Sequence, residues 1–269
     1  MSFGYVRHSL LNIIARRELI FVLVKKRLRE RHIGSVLGMF WSFYTALLPL
    51  AAYMLVFFFI AGIKVKGADG PWGYLLFVFS GLVPWVFFSR TITESVTALS
   101  SNLDLLRQAI FPMEVISIVN VSETFIHLLL QTGLLLVIVC FAKPLVFTKL
   151  LLLPIACLLL HLFCLGLSWI VSLIGFYLQD LKEILATVTQ FMIYVTPVLY
   201  AKDNIPPRLW FLFQINPMTH VINTFRDILY NPHFEHPESF AIFAGMTLVT
   251  FVTGYLMALS AKSVIADLV

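Results

Sequence analysis

Charged side chains inside apolar stretches are the first candidates for chemistry in this chain, because charged residues are rare in it. Arg90 and Glu94 are four residues apart in an otherwise apolar stretch, so one helical turn brings them together as a self-neutralising pair. A charge at the centre of a bilayer costs about 2.5–3.5 kcal/mol, so such residues normally face a cavity or a partner. The alternative is that both lie near a membrane surface and extend to water. The pair is therefore a candidate for the lining of a transport path.

Motifs of catalysis are absent from the sequence. No glycine-rich phosphate loop is present, so we expect this chain not to bind and hydrolyse ATP in the P-loop manner. His233 and His236 have the spacing of metal ligands, with Glu235 between them, but a metal site needs three or four ligands, so we interpret them as a polar loop. The other acids are scattered over separate elements: Glu94, Glu114, Glu123, Asp180 and Glu183. We expect no catalytic residue, no metal and no cofactor on this chain.

Composition indicates an integral membrane protein. Hydrophobic residues make up 60% of the 269 residues, charged residues make up 12%, and the mean hydropathy is +0.93. Soluble domains carry roughly 25% charged residues, so this chain cannot cover a water-facing surface. The net charge of +5 reflects a basic N-terminal segment without any recognition motif, so we expect no nucleic-acid partner.

Runs of about 20 apolar residues predict six transmembrane helices in an all-α membrane protein. The predicted spans are Val36–Ile63, Tyr74–Ala98, Val115–Phe141, Lys149–Tyr177, Ile184–Tyr200 and Phe240–Ser260. The fifth is short and ends at Thr196-Pro197. We therefore predict one membrane domain, 36–269, preceded by a cytoplasmic N-terminal segment, 1–35.

The placement of lysine and arginine predicts that both termini are cytoplasmic. Residues 1–31 carry eight basic residues against two acids, and such clusters are held on the cytoplasmic side. Six spans then return the C-terminus to the same side. Loops 99–114 and 178–183 face the cytoplasm in this prediction, and 201–239 faces outward.

The segment Leu10–Arg31 is too short and too charged to span a membrane. Its apolar stripe is interrupted by Arg17 and consists of Leu10, Ile13, Ile14, Phe21, Val24 and Leu28. We expect an amphipathic helix that lies flat in the headgroup layer, with its lysines and arginines on anionic lipid. The alternative is a tail that only sets the topology.

The stretch SSNLDLLRQAIFPMEV, residues 100–115, differs from the few polar residues usual between spans. Leu103, Leu106 and Ile110 fall on one side of a helix, and Phe111-Pro112 ends it. The spacing predicts a short amphipathic helix over 100–111. A helix that merely rests on lipid would have the same pattern.

Two further short helices are predicted within the segment 202–235. The first is IPPRLWFLFQ (205–214), and the second is NPMTHVINTFRDIL (216–229), with Asn216 as its N-cap and Pro217 in its first turn. The apolar stripe of the second consists of Met218, Val221, Ile222, Phe225 and Leu229. We expect an outer re-entrant pair packed against protein or lining a wet path. We also expect Arg226 to pair with an acid, Asp203 or Glu235.

Aromatic residues make up 14% of the chain and gather on two predicted spans. Trp41, Tyr44 and Phe59 share a face of the first span, and Phe191 and Tyr194 share a face of the fifth. Rings stack on sugar faces, so a ring-lined path suits a sugar polymer. Rings that face lipid or the membrane surface are the alternative.

Three motifs in this order resemble the permease subunits of ABC-2-type polysaccharide exporters, which include O-antigen, teichoic acid and capsule exporters. They are KRLRERHIGSVLGMFW (26–41), the stretch 100–115 with Asn-Leu…Phe-Pro-x-Glu-Val, and TPVLY…INPMTHVINTFRDIL (196–229). The chain departs from the pattern at Arg27, where members often have aspartate, and at Gln179, where they often have arginine before the aspartate.

The resemblance implies a homodimer of this chain in the cytoplasmic (inner) membrane, assembled with two copies of a separate ATPase that binds ATP and Mg. The substrate it implies is a lipid-linked glycan, and membrane lipids are further partners. The helix 100–111 would couple the ATPase to the spans, because Phe111-Pro112 fixes where the helix ends.

The resemblance and the residue patterns together give three sets of site residues. The coupling residues are Asn102, Leu103, Asp104, Leu106, Arg107, Phe111, Pro112, Asp180 and Lys182. The substrate-path residues are Trp41, Tyr44, Phe59, Arg90, Glu94, Phe191 and Tyr194. The outer-gate residues are Trp210, Asn216, Pro217, His220, Phe225 and Arg226.

Two other functions remain open at this point. One is an ABC-2 exporter of a small drug or lipid, which would not need a gate that tolerates a polymer in the pore. The other is an intramembrane enzyme of glycan assembly, against which the scattered acids argue.

Overall fold

The computed structural model describes residues 15–32, 40–62, 65, 70–106, 112–142 and 147–268. Within these ranges the chain forms α-helices joined by turns and short 3-10 segments, and it contains no strand. The protein is therefore all-α, as its hydrophobic pattern predicts.

The helices of the described ranges are, in chain order, α1 (Arg17–His32), α2 (Phe40–Tyr53), α3 (Gly70–Val96), α4 (Leu103–Leu106), α5 (Glu114–Ala142), α6 (Phe147–Leu150), α7 (Leu153–Tyr177), α8 (Leu181–Met192), α9 (Trp210–Ile215), α10 (Pro217–Leu229) and α11 (Pro237–Leu268). A π-helix, Met54–Ile60, continues α2. Short 3-10 turns precede α4 and α9 and follow α8.

Four of the described helices are long and apolar enough to cross a membrane: α3, α7, the part Glu114–Cys140 of α5 and the part Pro237–Ala261 of α11. Each has 25 to 27 residues, which corresponds to about 40 Å at 1.5 Å per residue and exceeds the roughly 30 Å hydrocarbon core. They coincide with the predicted second, third, fourth and sixth spans. The chain is thus a multi-pass membrane protein.

The other two predicted spans take less regular forms. The first contains α2 and the π-helix Met54–Ile60, while 33–39 and 63–64 lie outside the described residues. The fifth begins earlier than predicted, at Leu181, and its regular α-helix has 12 residues, about 18 Å. A 3-10 turn, Ile193–Val195, follows it, and the chain then becomes extended at Thr196.

Helix α3 is the centre of the bundle. Its side chains are buried along most of its length, and it contacts α2, α5, α7, α8 and α10. Its beginning lies beside α10, where the Phe77 and Tyr230 rings are 5.3 Å apart. Its end lies beside α1, where Arg31 contacts Glu94. We call these the short-helix end and the N-terminal-helix end of the bundle.

Helix α1 packs against α5 with a face that includes Val24 and Leu28 of the predicted stripe. Val24 is buried against Val115 and Val119, and Ile20, Leu23 and Leu28 surround this contact. Phe21, also in the predicted stripe, is 68% exposed and takes no part in this contact. The face toward α5 follows the spacing 20, 24, 28 and 23, 27, 31, so it also carries Arg27 and Arg31, which contact Asn120 and Glu123 of α5. Residues 1–14, with Leu10, Ile13 and Ile14, lie outside the described ranges.

Helices α7 and α11 cross at two glycines. A Cβ atom on Gly166 would collide with the backbone oxygen of Thr250, and one on Gly254 would collide with the backbone oxygen of Gly166. Small residues allow helix backbones to approach this closely in membrane proteins, where apolar surfaces gain nothing over lipid. This crossing holds α11 against the core of the bundle.

We predict that Gly254→Ala lowers the thermal stability of the purified protein, because the added methyl group forces the two backbones apart at a cost of about 1–3 kcal/mol. Unfolding in detergent, followed by size-exclusion after heating, measures this effect. Gly245→Ala is the matched control, since a Cβ atom at this position of the same helix meets nothing within 4 Å. Equal melting temperatures for the two variants would contradict the close crossing.

Candidate functional site

A cluster of charged and polar side chains joins three helices at the N-terminal-helix end. We call it the charged cluster; its members are Arg27, Arg31, Arg90, Glu94, Asn120, Glu123 and His127. Arg31 of α1 is the bridge, because its Nη2 lies 2.5 Å from Glu94 Oε1 and its Nη1 lies 2.7 Å from Glu123 Oε1. The predicted pair is also present, with Arg90 Nε 3.0 Å from Glu94 Oε1.

Glu123 is the buried anion of the charged cluster. Its side chain is fully buried, and Oε1 lies 3.0 Å from His127 Nε2 and 3.6 Å from Arg90 Nη2. A buried carboxylate is tolerated only with partners of this kind, and removal of one leaves an uncompensated charge. Sequence reasoning found Arg90 and Glu94 but missed Glu123, although the spacing of Glu123 and His127 on one helical face was a usable signal.

A chain of polar contacts extends from the charged cluster into the bundle. Arg27 Nη2 donates to Asn120 Oδ1 at 2.7 Å, and Asn120 Nδ2 donates to Ser95 Oγ at 3.2 Å. Ser95 Oγ donates in turn to Ser168 Oγ at 2.7 Å. These contacts connect α1, α5, α3 and α7, so a displacement of α1 would disturb all of them. Arg27 is one of the residues that fix α1.

The predicted coupling residues lie next to this end of the bundle where they are described. The segment 100–106 forms a 3-10 turn followed by α4; Leu103 is half-buried, Asp104 is exposed, and Asn102 Nδ2 donates to Ala98 O at 2.8 Å. Pro112 is half-buried, and Asp180 and Lys182 are exposed before and within α8. The backbone of Leu106 is helical, whereas Arg107 and Phe111 lie outside the described residues. Their coupling role stays a prediction.

At the short-helix end, α10 is embedded in protein. Met218, Val221, Ile222 and Phe225 have no exposed surface, which confirms the predicted stripe. The predicted cap is confirmed as well, because the Asn216 side chain accepts from Met218 N at 3.0 Å and Pro217 occupies the first turn. The polar face is buried too, since Thr219, Asn223, Thr224 and Asp227 are at most 9% exposed.

Side chains bind the carbonyl groups of the unwound segment 194–199, where the fifth predicted span ends. Asn216 Nδ2 donates to Val195 O at 3.2 Å, and Tyr74 Oη donates to Leu199 O at 2.9 Å. Tyr200 Oη donates to Tyr194 O. Such non-helical backbone is tolerated inside a membrane protein only when protein or water satisfies it. The Thr196-Pro197 break therefore marks a built feature of the fold.

Arg226 belongs to the same arrangement, and the expectation that it pairs with Asp203 or Glu235 is wrong. Its Nη2 donates to Val198 O at 2.7 Å, and its guanidinium lies 3.6 Å from the centroid of the Phe77 ring. The side chain is 5% exposed, whereas both acids are on the surface. The physical reason is that α10 turns Arg226 toward the unwound segment and α3, where the carbonyl of Val198 needs a donor.

The end of α10 is fixed from two sides. Lys149 Nζ donates to the backbone oxygens of Asp227 at 3.3 Å and Asn231 at 3.0 Å, which places a cation at a helix C-terminus, where the helix dipole favours it. The Asp227 carboxylate accepts from His236 N at 2.8 Å and lies 3.3 Å from His236 Nδ1. The side-chain hydrogen bond between the His236 ring and Asp227 raises the pKa of His236 above its ordinary value, whereas burial lowers it.

The remaining gate residues have defined positions. His220 Nδ1 lies 3.2 Å from Ser239 Oγ and its Nε2 donates to Gln214 O at 3.0 Å, so it ties α9 and α11 to α10. The Trp210 ring stacks on the Phe213 ring at 6.0 Å within α9. All six predicted gate residues thus lie in α9, α10 or the residue between them.

The predicted substrate-path residues do not form an enclosed path within one chain. Trp41, Tyr44, Phe59, Phe191 and Tyr194 are 42–69% exposed on the surface of α2, its π-helical continuation, α8 and the turn after it. Arg90 and Glu94 belong instead to the charged cluster. A single copy of the chain therefore presents its aromatic residues outward.

The family to which the chain belongs follows from comparison with known proteins. A family model described as "ABC-2 type transporter" matches residues 18–230, which include α1, the charged cluster and both short helices. The chain belongs to the ABC-2 type transporter family. Relatives of the chain are named as permease proteins of export systems, and the chain is a permease subunit, with the ATPase in a separate chain, and not an enzyme.

The chain is also similar to curated proteins over most of its length. The O-antigen export system permease protein RfbA of Klebsiella pneumoniae is 28% identical over 236 residues, which cover 86% of this chain and 88% of that protein. RfbA of Myxococcus xanthus is 26% identical over 235 residues, 87% of this chain and 88% of that protein. The polysialic acid transport protein KpsM of Escherichia coli is 23% identical over 233 residues, 86% and 89% respectively.

We predict that Arg31 and Glu123 are energetically coupled. In a double-mutant cycle, Arg31→Gln and Glu123→Gln should each lower the free energy of unfolding. The loss in the double variant should be smaller than the sum of the two single losses by about 0.5–3 kcal/mol. Lys26→Gln is the control, because Lys26 forms an exposed pair with Glu30 at 3.7 Å, and such pairs contribute about 0–1 kcal/mol. Additive single variants would mean that Arg31 does not hold α1 on the bundle.

We predict that His236→Gln destabilises the protein more at about pH 6 than at about pH 9. Since the pKa of His236 is raised in the folded protein, its stabilisation is complete below the ordinary pKa of about 6.5 and is lost as the pH rises through the raised value. Melting temperatures of variant and parent at the two pH values test this. His233→Gln, in the same loop, is the control. A deficit that is independent of pH would contradict an ionic contact with Asp227.

Proposed function

We propose that this chain forms, as a homodimer, the transmembrane channel of an ABC exporter that moves a lipid-linked polysaccharide of the O-antigen type across the cytoplasmic membrane. The observation that carries the proposal is the similarity over 86–87% of the chain to permease and transport proteins named for O-antigen and polysialic acid. A small drug or lipid as substrate, or an enzyme of glycan assembly, has no comparable support.

The proposal includes six crossings with both termini in the cytoplasm. Four long helices supply four of them. The first crossing is α2 with the π-helix, 21 residues from Phe40 to Ile60 in total. The fifth is α8 with the unwound segment, and the hydrogen bonds from Asn216, Arg226 and Tyr74 support this role, because they make non-helical backbone tolerable at membrane depth.

The exposed rings support the homodimer. Trp41 and Tyr44 pack edge to face at 5.0 Å, yet they remain 42% and 48% exposed, and Phe191 is 69% exposed. Large exposed apolar surfaces on a protein of this kind mark either lipid contacts or an interface. In the proposed dimer, rings from two copies line the path between them, with ring faces available to sugar units.

The gate of this channel is proposed to be the pair α9 and α10 on the outer side, in the segment 202–235. The N-terminus of α10, capped by Asn216, carries a partial positive charge. The bonds from Asn216 to Val195 and from Arg226 to Val198 connect this pair to the end of the fifth crossing. A rotation of α8 would therefore move the gate.

Coupling to the ATPase is proposed to run through the segment 100–111 and through α1. Asp104 is exposed beside the N-terminal-helix end, where a cytoplasmic partner can reach it. The charged cluster connects this end to α3 and α5. Force applied here would reach the short-helix end along α3, which has 27 residues.

The test is ATP-driven export by the permease and its ATPase reconstituted in proteoliposomes. Asp104→Lys should reduce the amount of polymer exported per ATP hydrolysed by at least about fivefold. This factor corresponds to the lower end of typical coupling free energies between two sites. Glu238→Lys, which reverses an exposed acid at the start of α11, is the control. Export by the permease alone, without the ATPase and against a gradient, would refute the proposal.

A further inference from the structure

A cavity of about 440 Å³ lies between α10, the beginning of α3 and the loops on either side of the short helices. Its volume falls within the range of small-molecule sites, roughly 300–1,000 Å³. The inner wall contains Phe77, Arg226 and Tyr230, which are buried, and the mouth contains Lys202 and exposed acids.

Arg226 and Lys202 line the cavity, and each lies against an aromatic ring; His236 also lines it, but its imidazole already lies 3.3 Å from the Asp227 carboxylate. Arg226 lies 3.6 Å from the centroid of Phe77, and Lys202 Nζ lies 4.9 Å from the centroid of Trp210. Neither has a carboxylate of the described residues within 4.0 Å. A ring stabilises a cation by about 0.5–2 kcal/mol and leaves its net charge in place.

Arg226 also has unused hydrogen-bonding capacity. Its Nε is buried and has no hydrogen-bond partner among the described residues, while Nη2 is used by Val198 O. A buried donor without a partner is costly, and a guanidinium binds a carboxylate with parallel hydrogen bonds. The cavity therefore offers an anion the charge of a guanidinium whose Nε has no partner.

The remaining polar groups of the cavity limit which anion fits. Asp203 and Glu235 are at the mouth, and Asn223 and Asn231 also line the walls. The carboxylates and amide oxygens accept hydrogen bonds from hydroxyl groups. The same two carboxylates repel an added negative charge, and they repel a dianion, such as a phosphate monoester, about twice as strongly as a monoanion.

We propose that this cavity binds one acidic sugar residue of the exported polymer, with its carboxylate between Arg226 and Lys202 and its hydroxyl groups on Asp203 and Glu235. This inference rests on the proposed function, because it names the substrate class that would pass the gate. Occupation would supply the anion that Arg226 lacks and would place a sugar against α10 at the end of the fifth crossing.

The probe is methyl glucuronide, with methyl glucoside as its uncharged match, and binding is measured to the full-length protein in nanodiscs of neutral lipid. Methyl glucuronide should bind about tenfold or more tightly than methyl glucoside, equivalent to at least about 1.4 kcal/mol. Lys202→Gln should remove most of this preference. Arg208→Gln is the matched control, since it removes a charge from an exposed residue six positions away that does not line the cavity.

Three results would overturn the inference: equal binding of both glycosides, a preference unchanged in Lys202→Gln, or preferential displacement of methyl glucuronide by glycerol phosphate, which would indicate a lipid headgroup. The proposed function has its own readout, ATP-driven export of the polymer. If the reconstituted parent protein exports polymer while no preference for the acidic glycoside is found, the exporter assignment stands and this inference fails.

Discussion

The hydrogen bond from Arg226 to the carbonyl of Val198 determines much of this structure. Helix α8 ends after 12 residues, and the chain continues as a 3-10 turn and non-helical backbone that membrane lipid cannot satisfy. Arg226, Asn216 and Tyr74 supply the missing donors from α10, its cap and α3. Helix α10 must therefore be buried on its polar face as well as its apolar one, and Lys149 and His236 then hold its far end in place.

Helix α3 connects this arrangement to the other end of the molecule. It carries Tyr74 and Phe77 at the short-helix end and Arg90 and Glu94 in the charged cluster. A bundle whose polar contacts are concentrated at two ends, with a buried helix of 27 residues between them, suits the transmission of rigid-body motion. The backbone contact of Gly166 and Gly254 holds α11 against the same core.

Local signals in the sequence predicted the helices and their caps well. Asn216-Pro217 predicted the start of α10, and the stripe from Met218 to Leu229 predicted its buried face, because both features depend on residues within a few turns. The pairing of Arg31 with Glu123 could not be predicted in the same way, since the two residues are 92 positions apart. The predicted partner of Arg226 was also wrong. A sequence pattern suggests an acid as the partner of an arginine, but it does not reveal that the backbone carbonyl of Val198 lacks a helical donor. The polar part of the contact between α1 and α5 was not predicted for a related reason, since the partners of Arg27 and Arg31 are 93 and 92 positions away.

In the proposed exporter, α9 and α10 form a gate that moves when polymer passes. The most direct measurement is the distance between spin labels at position 212 of the two protomers, since Leu212 is 42% exposed on α9, in a background with Cys140→Ser. We expect a longer distance with the ATPase, ATP and lipid-linked glycan than in the resting complex, because the gate must open for the polymer. An unchanged distance distribution during demonstrated polymer export would mean that α9 and α10 are not a moving gate.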